Sequence, residues 1–176
     1  MFLERTPGSV VLLRAKHDTR TKVMGCDYSY MKDETTVIKN LVETLRDGQE
    51  GFKQAAQGVK DPELKSIFNT YSQQRERFAS ELLGGAIRQG KLDDVETDSS
   101  TAGALHRAWI GLKAAVTNGD DKAILAECER GEDSAVAEYK KVVEDDLSGP
   151  LFQAISHQYM EIRRAHDRIK GLRDAA

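Results

Sequence analysis

The chain has 176 residues, a length typical of a single domain with one hydrophobic core. Apolar residues make up 39% and charged residues 31%, with only three prolines, and this composition excludes a collagen-like, mucin-like or largely disordered chain. A formal net charge of −3 gives no electrostatic argument for nucleic acid or an anionic membrane as a partner, and no apolar run approaches the roughly 18 residues of a transmembrane helix.

The N-terminal segment differs from the rest of the chain. Up to Tyr30 it carries five Lys or Arg residues against three Asp or Glu residues. Its one apolar run, Val10–Leu13, is too short for the core of a signal peptide. We therefore predict a flexible tail or upstream extension over residues 1–31 and a folded domain over residues 32–176.

The remainder of the sequence has helical periodicity. From Asp33 onwards, apolar residues recur at spacings of three and four, and no stretch alternates as a strand does. Asp61-Pro62 and Asn118-Gly119-Asp120 supply the caps and breaks between helices. The sequence predicts five helices, over Asp33–Val59, Asp61–Gly90, Thr101–Val116, Asp121–Leu147 and Leu151–Arg173.

Four of these helices are long and similar in length, and the helix that carries Trp109 is shorter. The economical packing is all-α: a four-helix bundle of two antiparallel hairpins, with the short helix in a crossover connection between bundle helices two and three. In this arrangement the second and fourth predicted helices run parallel.

Polar residues also lie on the predicted inward faces of the long helices. Spacing residues at about 100° per position places six polar side chains inward: Gln49, Gln74, Arg75, Glu132, Gln158 and His166. Counted from the helix midpoints, Gln49, Arg75, Glu132 and His166 fall within about one turn of a single level, one from each bundle helix. The pattern predicts a buried polar layer across the middle of the bundle.

Three stretches of the chain carry a resemblance. They are Asp47-Gly48-Gln49-Glu50-Gly51-Phe52, Leu105-His106-Arg107-Ala108-Trp109 and Cys128-Glu129-Arg130-Gly131-Glu132-Asp133. They resemble a bacterial group of ferritin-like four-helix-bundle proteins of unknown function, and the likeness extends from Glu34 to Ala175. The resemblance implies the ferritin-like fold, in which one Glu from each of two helices and a Glu-x-x-His from each of the other two can hold two metal ions.

At the metal-binding positions the chain departs from that pattern. Gln49 and Arg75 stand where two of the carboxylates are expected. Arg163 replaces the Glu of the Glu-x-x-His that ends at His166, so Glu132 is the one expected carboxylate that is retained. One carboxylate and one imidazole are too few to balance the charge of two iron ions, whereas Arg75 can itself neutralise Glu132. We expect a metal-free Arg-Glu-His-Gln network and no firm cofactor. The alternative is a divalent metal such as iron, held by Glu132, His166, Glu50, Glu129 and Glu161.

Other conspicuous residues are predicted to be structural. Cys128 is expected to be a small core residue, and Trp109 to cover one side of the bundle. Tyr139 is expected to be a core aromatic whose hydroxyl reaches a polar partner. No Gly-rich phosphate loop or Ser-His-Asp set occurs in the sequence, so no catalysed reaction is indicated.

Three functions remain open. The first is a stress-type structural or binding protein, the second a metal-dependent oxidase or metal store, and the third an oligomerising interaction module. Val42 and Leu83, which lie off the main apolar stripes, favour the third. We expect a homo-oligomer, a dimer or larger, with no nucleic-acid or membrane partner. Two distant cysteines, Cys26 and Cys128, fit a cytoplasmic location.

Overall fold

The structure is a computed structural model that describes the backbone of residues 21–92, 109, 111–144 and 150–176, and the side chains of residues 34–92, 109, 111–144 and 151–176. Within these ranges the chain is all-α, as predicted, with no strand. The helices are α1 (Thr21–Gly58), α2 (Pro62–Arg88), α3 (Leu112–Asn118), α4 (Asp121–Glu144) and α5 (Pro150–Ala175). No helix in the described part of the chain is long and apolar enough to cross a membrane.

Helix α1 begins earlier than the apolar periodicity indicates. It starts at Thr21 instead of Asp33, so the last part of the predicted tail is helical. No proline lies between Thr21 and Asp33 to interrupt the helix, so it can begin before the apolar periodicity does. Residues 1–20 lie outside the described residues, and the division at residue 31 stays a prediction.

The starts of α2 and α4 follow the predicted capping signals. Asp61 caps α2 by accepting a hydrogen bond from the backbone N–H of Glu63, with an N···O distance of 2.7 Å. Asp120 caps α4 in the same way, accepting from the backbone N–H of Lys122 at 3.0 Å. Such caps satisfy the unpaired N–H groups of the first turn.

In the described part of the chain, helix α3 continues two residues beyond Val116, the predicted end of the third helix. It begins at Leu112, directly after Gly111, and ends before Gly119, which has a φ of 59°. Glycine adopts this left-handed conformation without a steric penalty and so ends the helix. Residues 101–108, where the predicted helix begins, lie outside the described residues.

Contacts between the long helices define their directions. Thr35 on α1 donates a hydrogen bond to the carbonyl oxygen of Lys91, just after α2, so these helices run antiparallel. Tyr139 of α4 bonds to Gln158 of α5. Asp133 contacts His166 farther along α5, so α4 and α5 are also antiparallel.

Contacts at the opposite end of the molecule give the direction of α4 relative to α1 and α2. The Asp121 carboxylate at the start of α4 accepts hydrogen bonds from the backbone N–H groups of Lys60 and Asp61, at 2.9 and 3.1 Å. Lys60 and Asp61 form the turn from α1 into α2. Helices α2 and α4 therefore start at the same end of the molecule and run parallel.

Two apolar clusters fill the interior. The Leu45 cluster includes Leu41, Leu45, Phe78, Leu82, Tyr139, Ile155 and Ile162. The Phe52 cluster includes Phe52, Phe68, Leu112, Ile124, Cys128 and Ile169. Val42 is buried in the Leu45 cluster and Leu83 is partly buried against it, so these two residues do not form an exposed apolar strip for self-association. Met160 is the exposed large hydrophobic residue of the described part.

Candidate functional site

A buried ion pair lies between the two apolar clusters. Arg75 of α2 is 1% exposed, Glu132 of α4 is 0% exposed, and the Arg75 Nη2 donates a hydrogen bond to Glu132 Oε2. The Arg75 Nη1 donates to Oε1 of Gln74. From α1, the ring of Phe52 faces the guanidinium, with 5.6 Å between the ring centroid and Cζ, an arrangement that attracts a cation to the aromatic face.

The pair is one hydrogen bond short of a bidentate contact. Within the described residues, Arg75 Nε and Glu132 Oε1 are buried and have no hydrogen-bond partner. Nε and Nη2 lie on the same edge of a guanidinium, so the two unpaired atoms are those that would complete a side-on fork. Burial raises the pKa of Glu132, and the Arg75 charge and hydrogen bond lower it by less.

Gln49 and His166 lie at the same level but do not bond to the pair. Gln49 contributes its backbone, since its carbonyl oxygen accepts a hydrogen bond from the Ser72 hydroxyl at 2.9 Å. The His166 ring is 17% exposed, and its nitrogens contact Asp133 at 2.9 Å and Asp167 at 3.0 Å. Sequence periodicity places His166 inward, but at the edge of the apolar face its ring turns to the flank.

Gln158 belongs to a separate polar group inside the Leu45 cluster. Its Oε1 accepts a hydrogen bond from the Tyr139 hydroxyl at 2.7 Å. Its Nε2 donates to Glu81 Oε2 at 2.8 Å and to the carbonyl oxygen of Phe78 at 3.3 Å. The prediction of a polar partner for Tyr139 is confirmed, and burial raises the pKa of its hydroxyl well above the ordinary value. Glu81 was not predicted, because it lies on the flank of α2 and is reached by the long Gln158 amide.

The residues of the metal alternative are not brought together. Glu50 is exposed beside Lys53 and Gln54, with Glu50 Oε1 3.0 Å from Gln54 Nε2. Glu129 is buried but pairs with Arg173 of α5, and Glu161 pairs with Arg164. In the described part of the chain, no group of three or more His, Cys, Asp or Glu residues is placed to hold a metal ion.

Trp109 packs against two helices of the bundle. Its indole lies against Gly51 of α1 and Gly131 of α4, and a Cβ atom at either glycine would overlap the ring. The ring also contacts Phe52 edge-on, with 5.4 Å between centroids. The prediction that Trp109 covers one side of the bundle is therefore confirmed, and the two glycines make the space that it fills.

A family model matches the chain over residues 33–145, which is more than half of its length. The model is the domain of unknown function DUF2383. The chain belongs to this family. The matched range includes Arg75, Glu132 and Trp109. No curated protein matches the chain.

In this DUF2383 chain, the groups at and near the buried ion pair have little chemical reactivity. Cys128, also in the Phe52 cluster, is 0% exposed, and burial raises the pKa of its thiol well above the ordinary value, so it is held as a thiol and not as a nucleophilic thiolate. The Arg75–Glu132 pair is internally neutralised. Neither Cys128 nor the Arg75–Glu132 pair therefore offers an activated nucleophile.

Proposed function

We propose that this DUF2383 protein is a ferritin-like four-helix bundle with a structural or stress-type role, which acts by binding or assembly instead of turnover. The helix directions support the ferritin-like topology. Two antiparallel hairpins, α1 with α2 and α4 with α5, are connected so that α2 and α4 run parallel, and α3 lies in the connection. A crossover connection of this kind is typical of ferritin-like folds.

The residues at the middle of the bundle do not fit a dinuclear metal centre. Such a centre requires several carboxylates and imidazoles that converge on two cations. At this level Glu132 is the inward carboxylate, Arg75 brings a positive charge to it, and His166 is engaged by Asp133 and Asp167. A guanidinium beside Glu132 repels a cation, so we derive no metal chemistry at this level of the protein.

The observation that carries the proposal is the burial of both charges of the Arg75–Glu132 pair. Removing two charges from water is unfavourable unless they compensate each other, and the pair supplies that compensation without a metal ion. In a ferritin-like metal site, iron supplies the positive charge at this level. In this chain the Arg75 side chain supplies it.

Metal content tests the proposal. Protein purified without chelator or affinity metal is analysed by elemental mass spectrometry, before and after incubation with ferrous iron, manganese, zinc or copper. We expect no stoichiometric metal and a melting temperature that no metal changes. Stoichiometric metal that is lost in Glu132→Ala and His166→Ala, but kept in the exposed control Glu144→Ala, would overturn the proposal and favour a metal-binding oxidase or store.

The assembly part of the proposal has its own measurement. We expect light scattering after size exclusion to give the mass of a dimer or a larger homo-oligomer. A mass equal to one chain at all concentrations would overturn self-assembly and leave binding of a different partner as the role to test.

A further inference from the structure

Part of the segment between α2 and α4 is described, and this part contacts both α1 and α4. This part, Trp109 and residues 111–118, is named the strap here. Leu112 and Ala115 of the strap are buried, and Val116 lies against Gly58 of α1, where a Cβ atom would overlap the valine side chain. Glycines of the long helices thus accommodate the strap at three positions, Gly51, Gly58 and Gly131.

The strap cannot maintain its helix without these contacts. Helix α3 has seven residues, and isolated helices shorter than about 12 residues are marginal in water. Gly111 before it supplies no side-chain cap, and Gly119 after it takes the left-handed conformation. The order of α3 therefore depends on the docking of a few side chains, chiefly Trp109 and Leu112.

The layer beneath the strap contains the chemically distinctive groups of the core. Cys128 lies about one turn before Gly131 on α4 and packs in the same apolar cluster as Leu112. Phe52 separates Trp109 from the Arg75 guanidinium, with ring–ring and ring–Cζ distances of 5.4 and 5.6 Å. Undocking the strap would remove Leu112 from the cluster that contains Cys128, and Trp109 from the Phe52 ring that faces Arg75.

We propose that the strap opens by local unfolding while the four long helices stay folded, and that this opening admits small molecules to Cys128 and to the Arg75–Glu132 pair. Among the described residues, opening breaks the contacts of Trp109 and α3, whereas global unfolding breaks both apolar clusters. Local openings of this kind have free energies well below that of global unfolding. The device does not depend on the ferritin-like assignment.

Thiol modification measures the opening. The full chain carrying Cys26→Ser is treated with an aromatic disulfide, dithiobisnitrobenzoate, which releases one coloured thiolate for each Cys128 modified. At low reagent concentration the rate reports the fraction of open molecules. We expect a rate at least about a hundredfold faster than the rate that the urea-derived free energy of global unfolding allows. Equality of the two rates would overturn the proposal.

Two substitutions in the same Cys26→Ser chain separate local from global opening. Trp109→Ala removes the docking contact and is expected to accelerate modification of Cys128 at least about tenfold. Val142→Ala is the control, because Val142 packs in the Leu45 cluster, away from the strap. It is expected to destabilise the whole fold and to leave the modification rate unchanged. The same acceleration in both variants would show that Cys128 reacts only through global unfolding.

A third substitution keeps the test valid if Trp109→Ala does not fold. Trp109→Phe retains an aromatic ring and is expected to accelerate modification in the same direction by a smaller factor. Hydrogen exchange on the unsubstituted protein gives a second measurement. The amides of Leu112–Asn118 are expected to exchange while the amides around Ile162 stay protected. Joint exchange of both sets of amides would also overturn the proposal.

Discussion

Arg75 and Glu132 connect α2 and α4, two helices that each pack against both α1 and α5. Helix α2 packs against α1 and α5, and α4 packs against α1, α3 and α5, so the ion pair crosses the interior between helices that do not pack side by side. The pair therefore fixes the relative position of α2 and α4 at the level where the two apolar clusters meet.

Breaking this pair from one side should be strongly destabilising. Arg75→Met leaves a buried carboxylate without a counter-charge, and we expect the free energy of unfolding to fall by about 3–5 kcal/mol. Adding Glu132→Gln removes the unpaired charge and should restore much of the loss. Urea denaturation of the single and double variants measures both effects, and additive losses would refute the pairing.

An exposed pair provides the control for that experiment. Lys141 Nζ lies 2.6 Å from Glu138 Oε1 on the surface of α4. Water screens such pairs, so Lys141→Met should change the free energy of unfolding by no more than about 1 kcal/mol. A loss as large as that of Arg75→Met would show that burial is not the cause of the difference.

The stability of the protein should also depend on the ionisation of Glu132. Burial raises its pKa above the ordinary value, so between the unfolded and folded pKa values the folded state binds more protons than the unfolded state. The contribution of Glu132 to stability is therefore present at low pH and falls as pH rises from about 4.3, the ordinary pKa of glutamate, through the folded pKa.

Urea denaturation at several pH values measures this dependence. The free energy of unfolding of the unsubstituted protein, minus that of Glu132→Gln, should decrease as pH rises from about 4 to about 7. The same measurement on Glu144→Gln, which substitutes an exposed glutamate of the same helix, is the control. A difference that increases with pH would mean that Arg75 lowers the Glu132 pKa by more than burial raises it.

The packing of Trp109 predicts that Gly131→Ala destabilises the protein, whereas helix propensity alone predicts that it stabilises the protein. Alanine is better than glycine inside a helix by about 1 kcal/mol, but at Gly131 its Cβ would overlap the indole, and overpacking of this kind costs about 1–3 kcal/mol. We expect Gly131→Ala to destabilise the protein in thermal or urea unfolding. The loss should shrink when Trp109→Leu makes room for the added methyl group.

Gly171 is the matched control for that substitution. It lies in α5 with nothing within 4 Å of an added Cβ atom, so Gly171→Ala should stabilise the protein by about 0.4–1 kcal/mol. If Gly131→Ala stabilises the protein as much as Gly171→Ala does, the indole does not occupy the space beside Gly131.

Helical periodicity is sufficient to predict that Arg75 and Glu132 both point inward. Arg75 lies within a stripe that includes Phe68 and Phe78, and Glu132 within one that includes Cys128 and Ala135, so an inward direction follows from spacing alone. Periodicity does not give partners. Whether two inward groups bond depends on which helices face each other, and this is a property of the tertiary packing.

Residues at the edge of a stripe were harder to place. His166 turns toward Asp133 instead of Glu132, and Glu129 turns inward enough to be buried because Arg173 neutralises it. A side chain at the edge of an apolar stripe can point inward or toward the flank, and these two directions differ little in energy. A charged partner on the neighbouring helix then decides which direction it takes. Periodicity also does not predict that Gly51 and Gly131 leave room for Trp109, because the indole comes from a segment distant in sequence.

The hydrogen bond between Tyr139 and Gln158 should show strong coupling. Tyr139→Phe leaves the buried Gln158 Oε1 without its 2.7 Å donor, and Gln158→Leu leaves the Tyr139 hydroxyl without its acceptor. Each should lower the free energy of unfolding by about 1–3 kcal/mol. The double variant removes both unsatisfied groups, so its loss should be smaller than the sum by about 0.5–3 kcal/mol.

A second pair of substitutions calibrates that coupling. Thr117 in α3 donates to the carbonyl oxygen of Lys113 at 2.8 Å on the surface, with no contact to Tyr139. Thr117→Val combined with Tyr139→Phe should therefore be additive within about 0.5 kcal/mol in urea denaturation. If the Tyr139 and Gln158 substitutions are equally additive, the two side chains do not depend on each other, and Gln158 is held by Glu81 and the Phe78 carbonyl alone.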